Sequence, residues 1–228
     1  MKIPFLDLKA QYNSIKEEID VAIEGVLNNT SFINGNEVRL FESNFAKAIN
    51  AKYCIGVGNG TDAIVIALKM MGVTSGDEVI VPANSFIATS EAVTAVGGTV
   101  VFVDNYHDTY NIDCEKLISK ITEKTKVIIA VHLYGQPADM DKLLDISNKN
   151  NIFLLEDSAQ GHLAEYKVDN KDYTRVGSIG DCATFSFYPG KNLGAYGDAG
   201  AITTNNDVLA EKMRMYANHG RVSKYTHE

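Results

Sequence analysis

With 228 residues and 45% hydrophobic content, the chain can bury a sizeable core, and no apolar run is long enough to span a bilayer. A soluble globular protein without a membrane partner is expected, and no signal peptide is visible, since Met1-Lys2-Ile3-Pro4-Phe5 leads into a polar segment. The formal charge of −8, with no offsetting basic cluster, argues against nucleic-acid binding. Cys54, Cys114 and Cys182 are far apart and odd in number, which points to reduced thiols of a cytoplasmic protein and to neither a disulfide framework nor a metal site.

In chain order, a short extended start at Ile3–Leu8 precedes a helix expected over Tyr12–Leu27. Its stripe is Ile15, Ile19, Ala22, Ile23 and Val26, and Asn28-Asn29-Thr30 ends it. Ser31–Gly35 reads as a loop and Glu37–Ile49 as a second amphipathic helix. A βα rhythm then begins: strand Cys54–Val57, turn Gly58-Asn59-Gly60, helix Thr61–Met71, strand Glu78–Val81, helix Phe86–Val96, strand Thr99–Val103 and helix Cys114–Ile121. It continues with strand Val127–Val131, helix Asp139–Asn150 and strand Ile152–Glu156. His132-Leu133-Tyr134-Gly135-Gln136 lies at a strand's carboxyl end. Leu163–Lys167 and Val176–Asp181 read as short irregular or antiparallel pieces. Strands Ala183–Phe187 and Ala199–Thr203 come next, then a helix capped by Asn206-Asp207 and running to Ala217. Such alternation predicts an α/β fold, a mostly parallel central sheet with helices on both faces.

Asp181–Gly200, DCATFSFYPGKNLGAYGDAG, carries the chemistry. An apolar strand stops at Pro189-Gly190, presents Lys191, and passes through Gly194, Gly197 and Gly200. A surface lysine is ordinarily solvated charge; here β-forming residues lead into it and glycines keep bulk away. An amine held in a crowded, partly desolvated place can condense with a carbonyl, most often that of pyridoxal phosphate (PLP). That cofactor needs a carboxylate at its pyridine nitrogen so that the ring can withdraw electrons. Asp157 closes a strand of buried character, where ligands bind in open α/β sheets, although a turn or helix cap would also explain it. Gln160 stands close enough to bond the cofactor's phenolic oxygen. The Gly58-Asn59-Gly60 turn, with Thr61, leaves N–H groups and a hydroxyl at a helix start, a cradle for phosphate or simply a turn. Phe86, at the mouth of its helix, is placed to stack on the ring or to pack in the core. Arg214, His219 and Arg221 are candidates for anion contacts or plain exposed charge.

EDSAQGH over Glu156–His162 and FSFYPGKNLGAYGDAGAI over Phe185–Ile202 resemble the paired signatures of the DegT/DnrJ/StrS family of nucleotide-sugar aminotransferases, fold-type-I PLP enzymes. The resemblance extends through PFLDL at Pro4–Leu8, GNGTDA at Gly58–Ala63, GDEVIVPANSFIAT at Gly76–Thr89 and HLYGQPADMD at His132–Asp141. It implies Lys191 as the catalytic lysine, Gly60, Thr61 and Ser186 at the cofactor phosphate, Phe86 stacked on the ring, and Asp157 and Gln160 on its polar edge. His162 and Tyr188 are candidates for substrate contact. The implied reaction moves an amino group from an amino acid, usually glutamate, to a nucleotide-linked keto sugar. The motifs lean toward a dTDP-3-keto-6-deoxyhexose, with 4-keto sugars second. A homodimer is implied, its N-terminal arm packing the interface and lining the substrate entrance, although a plain packing role for the arm stays open. Residues 1–228 are expected to be the PLP-binding large domain, with a helical arm over 1–50. The resemblance also implies a later loop that donates an asparagine to the neighbouring subunit and a smaller C-terminal domain, which these 228 residues do not include; a fragment of a longer product, a split or truncated gene, or a degenerate copy is expected, with an inactive PLP-binding or dimerising remnant as an alternative. A sugar dehydratase of the same fold is another, although that branch replaces the lysine with histidine.

Overall fold

Seven short strands rich in valine, isoleucine and leucine, and the helices between them, give the chain its layers. The structure is a computed structural model and describes residues 3, 5–170, 172–223 and 226–227. Pro4, within the expected extended start, and Glu228 at the chain end lie outside the described residues. Helix α1 (Leu8–Asn29) begins earlier than expected because the Asp7 carboxylate accepts the Ala10 N–H at 2.9 Å. It kinks at Ile15 and buries no residue fully; Leu8, Ile15, Val21, Ile23 and Leu27 are exposed and Ile19 and Val26 half-buried, so among the described residues its apolar stripe is largely open. Helix α2 (Asn36–Ile49) instead buries Phe45, Ala46 and Ile49 against β1 (Tyr53–Val57) and the Phe185 and Phe187 rings.

The alternation then proceeds as α3 (Gly60–Met70), β2 (Glu78–Pro82), α4 (Ile87–Ala95), β3 (Thr99–Val103), α5 (Cys114–Ile118), β4 (Thr125–Val131), α6 (Met140–Asn150) and β5 (Phe153–Asp157). A hairpin of β6 (Glu165–Lys167) and β7 (Tyr173–Arg175) comes after it. The expected piece at Val176–Asp181 is a run of bends, and Tyr173–Arg175 does the pairing in its place. The remaining elements are β8 (Cys182–Ser186), β9 (Gly200–Thr204), α7 (Asp207–Tyr216), β10 (Arg221–Ser223) and β11 (Thr226–His227).

The main sheet has the order β1-β9-β8-β5-β4-β2-β3, parallel except that β9 runs antiparallel to both neighbours. Side chains alternate across it. Val79, Ile129 and Leu155 pack under Ile64 and Leu68 of α3, Val93 of α4 and Met213 of α7. Ile80, Ile128 and Leu154 pack under Leu117 of α5 and Leu143 of α6. Helices therefore cover both faces, as the alternation predicts. At one edge Val131 pairs with Asp157, while Gly200 pairs with both Val57 and Ser186, so the carboxyl ends of four strands meet the start of β9. A Cβ on Gly200 would lie 2.3 Å from the Asn59 carbonyl oxygen; only glycine lets the β1–α3 turn close over that strand.

Candidate active site

A cavity of about 800 Å³ opens at this edge, where open α/β sheets bind ligands. The turn before α3 forms one wall. The Asn59 side chain accepts the Asp62 N–H at 2.8 Å and its carbonyl takes the Ala63 N–H at 3.1 Å, leaving the Gly60 and Thr61 N–H groups for a ligand. A Cβ at Gly60 would come within 2.7 Å of the Ser186 Cβ, so glycine is what lets this helix start sit against the end of β8. Beyond β8 the chain turns, with the Ser186 hydroxyl accepting the Tyr188 N–H at 3.3 Å and the Tyr188 carbonyl accepting the Lys191 N–H at 2.8 Å. The turn presents Lys191, half-buried, to the cavity.

Asp157 is 6% exposed at the cavity wall. One carboxylate oxygen accepts the Thr89 hydroxyl at 2.9 Å and the other the Ala159 N–H at 3.2 Å. Burial holds its pKa above the ordinary carboxylate value, against the pull of those two donors and of the more distant His132 and Lys191. A buried carboxylate with so few donors can accept a cationic partner. Its sequence neighbour Glu156 is fully buried on the opposite face of β5, where its oxygens accept His132 Nε2 at 3.0 Å and the N–H groups of Gly177, Ile179 and Gly180 at 2.8–2.9 Å. His132 Nδ1 accepts the Ala138 N–H, so Nε2 carries the proton that Glu156 receives. Burial alone would raise the Glu156 pKa, but His132 and the backbone donors outweigh it and the net direction is down.

Gly60, Thr61, Phe86, Asp157, Gln160, Ser186, Tyr188 and Lys191, singled out from the sequence, all line this one cavity. Phe86 is 76% exposed at its mouth, so it is not packed in the core. The Gln160 side chain accepts the Tyr134 N–H at 2.7 Å, which fixes its carbonyl end. His162 stands apart: it lines an adjoining cavity of about 700 Å³ that shares Gln160, Tyr188 and Lys191. Its ring lies 5.6 Å from both the Phe185 and Phe187 rings, and neither nitrogen has a hydrogen-bond partner in good geometry. Burial pushes its pKa down; the nearby Ser186 backbone opposes this and Lys191 adds to it. Arg214, a candidate anion contact, is committed elsewhere: its guanidinium bonds Glu42 at 2.8 Å and the Cys54 carbonyl at 2.9 Å. His219 lines a separate groove with Met70 and Tyr216.

Sequence reasoning missed Thr89, the hydroxyl partner of Asp157, and the Glu156–His132 pair. The signal for the pair was available, because a glutamate inside a strand buried on both faces must find donors. Burial raises the Cys54 thiol to about 12 and the Cys114 thiol to about 11, which leaves neither a nucleophile near neutral pH. Among the described residues no helix is long and apolar enough to cross a membrane, and no group of His, Cys, Asp and Glu is placed to hold a metal ion.

These features define an open α/β protein with one lysine and one buried aspartate facing a common cavity at the strands' carboxyl edge. The chain belongs to the DegT/DnrJ/EryC1/StrS aminotransferase family, whose model matches residues 13–228. It is 49% identical over 223 residues to the dTDP-3-amino-3,6-dideoxy-alpha-D-galactopyranose transaminase of Aneurinibacillus thermoaerophilus, covering 98% of this chain and 60% of that one. With the UDP-2-acetamido-2-deoxy-3-oxo-D-glucuronate aminotransferase of Pseudomonas aeruginosa it shares 44% identity over 225 residues, covering 99% and 61%. The structure of NtdA from Bacillus subtilis with bound cofactor PMP superposes with a TM-score of 0.90 at 37% identity, covering 100% of this chain and 51% of that one. The chain spans 59–61% of the length of the first curated relatives it matches. The family is PLP-dependent, and a cradle closed by Gly60, a half-buried lysine and an under-donated buried carboxylate fit that cofactor.

Proposed function

We propose that this chain is the cofactor-holding part of an aminotransferase that moves an amino group from an amino acid, glutamate being the expected donor, to a keto sugar carried on a nucleoside diphosphate. The observation that carries the reading is Lys191 and Asp157 facing one cavity beside the Gly60–Ser186 cradle. PLP, when bound, supplies an electron-withdrawing ring. The Gly60 and Thr61 N–H groups and the Ser186 hydroxyl would hold its phosphate, Asp157 would accept the ring-nitrogen N–H, and Gln160 and Phe86 would orient the ring. The Lys191 amine would anchor the cofactor and, once an amino donor has displaced it, would be the free base that takes and returns the proton at the substrate carbon. Tyr188 and His162, bordering the second cavity, face the substrate.

The position aminated is taken to be C3. The two named relatives carry their chemistry at that carbon on different nucleotides, and the preference for a dTDP-linked 3-keto-6-deoxyhexose rests on the likeness to the first. A second copy of the chain is the expected cover for the exposed stripe of α1 with Phe32 and Ile33 at its end, in a cytoplasmic homodimer. The test is borohydride reduction of the protein with PLP and then peptide mapping. Wild type should yield one modified peptide, at Lys191, and Lys191→Ala none; a label at another lysine would refute the assignment.

A further inference from the structure

The first turn of α4 sends one hydroxyl out of its own helix. Ser90 donates to the Ile87 carbonyl at 3.1 Å and Thr94 to the Ser90 carbonyl at 3.2 Å, the usual local use of helical hydroxyls. Thr89, only 1% exposed, donates instead across to the Asp157 carboxylate at 2.9 Å. Since a carboxylate only accepts, the one Thr89 proton is committed there. The close Ser85–Thr89 contact is then made with the Ser85 proton, whose other acceptor is the Phe86 carbonyl at 3.1 Å. A polarised chain results, from Ser85 at the cavity wall through Thr89 to Asp157, and donors in series strengthen one another away from water.

We infer that Thr89, fed by Ser85, is a positioning residue that keeps Asp157 ionised and fixed, and so sets how fully the bound cofactor's ring nitrogen is protonated. The inference rests on the PLP reading of this site. It also assigns a double duty to one helical turn, since the Thr89 N–H caps onto the Phe86 carbonyl at 3.1 Å and the same turn sets Phe86 at the cavity mouth. The other groups acting on Asp157 are the Ala159 N–H, His132 and Lys191. None of them replaces the Thr89 donor on its oxygen: the Ala159 N–H serves the other one. Without that donor the carboxylate becomes more basic and draws the shared proton away from the ring.

The experiment is nitrogen NMR of the holoprotein loaded with PLP labelled with ¹⁵N in the ring, in wild type, Thr89→Val, Thr89→Ser and Ser85→Ala. Wild type should show the protonated ring signal. Thr89→Val should move it toward the unprotonated position, a change of roughly tenfold or more in proton sharing, from the loss of one hydrogen bond to a charged group. Thr89→Ser should restore it, and Ser85→Ala should shift it the same way by less. A wild-type signal in Thr89→Val overturns the inference; should that variant fail to fold, an unchanged signal in Ser85→Ala does so. A wild type that takes up no PLP refutes the cofactor reading itself, a result distinguishable from both.

Discussion

Glu156 and Asp157 are adjacent, both buried and both acidic, yet they face opposite sides of β5 and live in different chemistry. Glu156 receives two donors on each oxygen, from His132 and three backbone N–H groups, and its pKa falls. Asp157 receives one donor on each oxygen, borders a cavity, and its pKa rises with burial. A saturated carboxylate ties loops together. An under-donated one stores unfavourable charge that a cationic ligand can relieve.

Replacing each acid in turn is the strongest way to break the comparison. In Glu156→Gln the amide NH₂ faces two N–H donors whichever way it turns, so a loss of about 3–5 kcal/mol is expected. Asp157→Asn should leave stability equal or slightly higher, because it removes a desolvated charge, while lowering PLP retention. Urea denaturation of both variants decides; a larger stability loss in Asp157→Asn would invert the assignment of roles.

Tight glycines stand on both sides, Gly60 and Gly200 at the cavity among them, but the Glu156 loop and the outer rim of the cavity differ. Gly177, whose N–H feeds Glu156, has φ +96, and a Cβ there would lie 2.4 Å from Phe185 Cζ. Gly177→Ala is expected to cost about 2–4 kcal/mol through left-handed backbone strain and overpacking. On the cavity side Gly190 meets nothing nearer than 3.4 Å, so Gly190→Ala should stay within about 0.5 kcal/mol of wild type in the same denaturation assay. Equal costs would show that the Glu156 loop yields as readily as the cavity rim.

Acid titration separates the pair with a smaller effect, of order 1 kcal/mol. The stability due to Glu156 is complete above its ordinary pKa of 4.5 and is lost as pH falls through its lowered folded value. For Asp157 the sign reverses: its folded pKa lies above 3.8, so the cost of its charge, full at neutral pH, is relieved as pH falls through that window. The stability gap between wild type and Glu156→Gln should therefore close in acid, while wild type should gain on Asp157→Asn. Urea midpoints from pH 7 down to about pH 3 provide the readout, since the Glu156 gap starts to close only below 4.5, and curves that stay parallel to the acid end would contradict both directions.

How much of the site was legible in the sequence depends on where each signal sits. Asp157 ends an apolar strand and Gly60 starts a helix just past another, so strand endings alone put these two at the sheet's ligand edge, whereas Ser186 was named through the family resemblance, its strand having been read through Phe187. Thr89 was hidden because a threonine in a helix ordinarily bonds its own backbone, and only the tertiary approach of α4 to β5 redirects it. Arg214 looked available for an anion because its partner Glu42 lies far away in sequence. The periodicity of α1 gave the helix and its apolar face, but among the described residues that face is only half-covered at Ile19 and Val26 and open at Ile15 and Ile23, because a period marks a face and not its partner.

The mildest perturbation tests whether under-satisfied groups gather on the cavity side as a rule. His162 borders the second cavity with two unpartnered nitrogens between Phe185 and Phe187, and burial holds it neutral in the fold. The unfolded chain takes up a proton near pH 6.5 while the folded ring, its pKa lowered, resists, so wild type should lose stability as pH falls through and below that value. His162→Phe keeps the aromatic contacts and removes the titration. Its stability should match wild type near pH 8 and exceed it by a few tenths to about 1 kcal/mol near pH 5, read from thermal melts across that range. A gap that does not widen in acid would mean that the imidazole is hydrogen-bonded in solution, and the contrast would then rest on Asp157 alone.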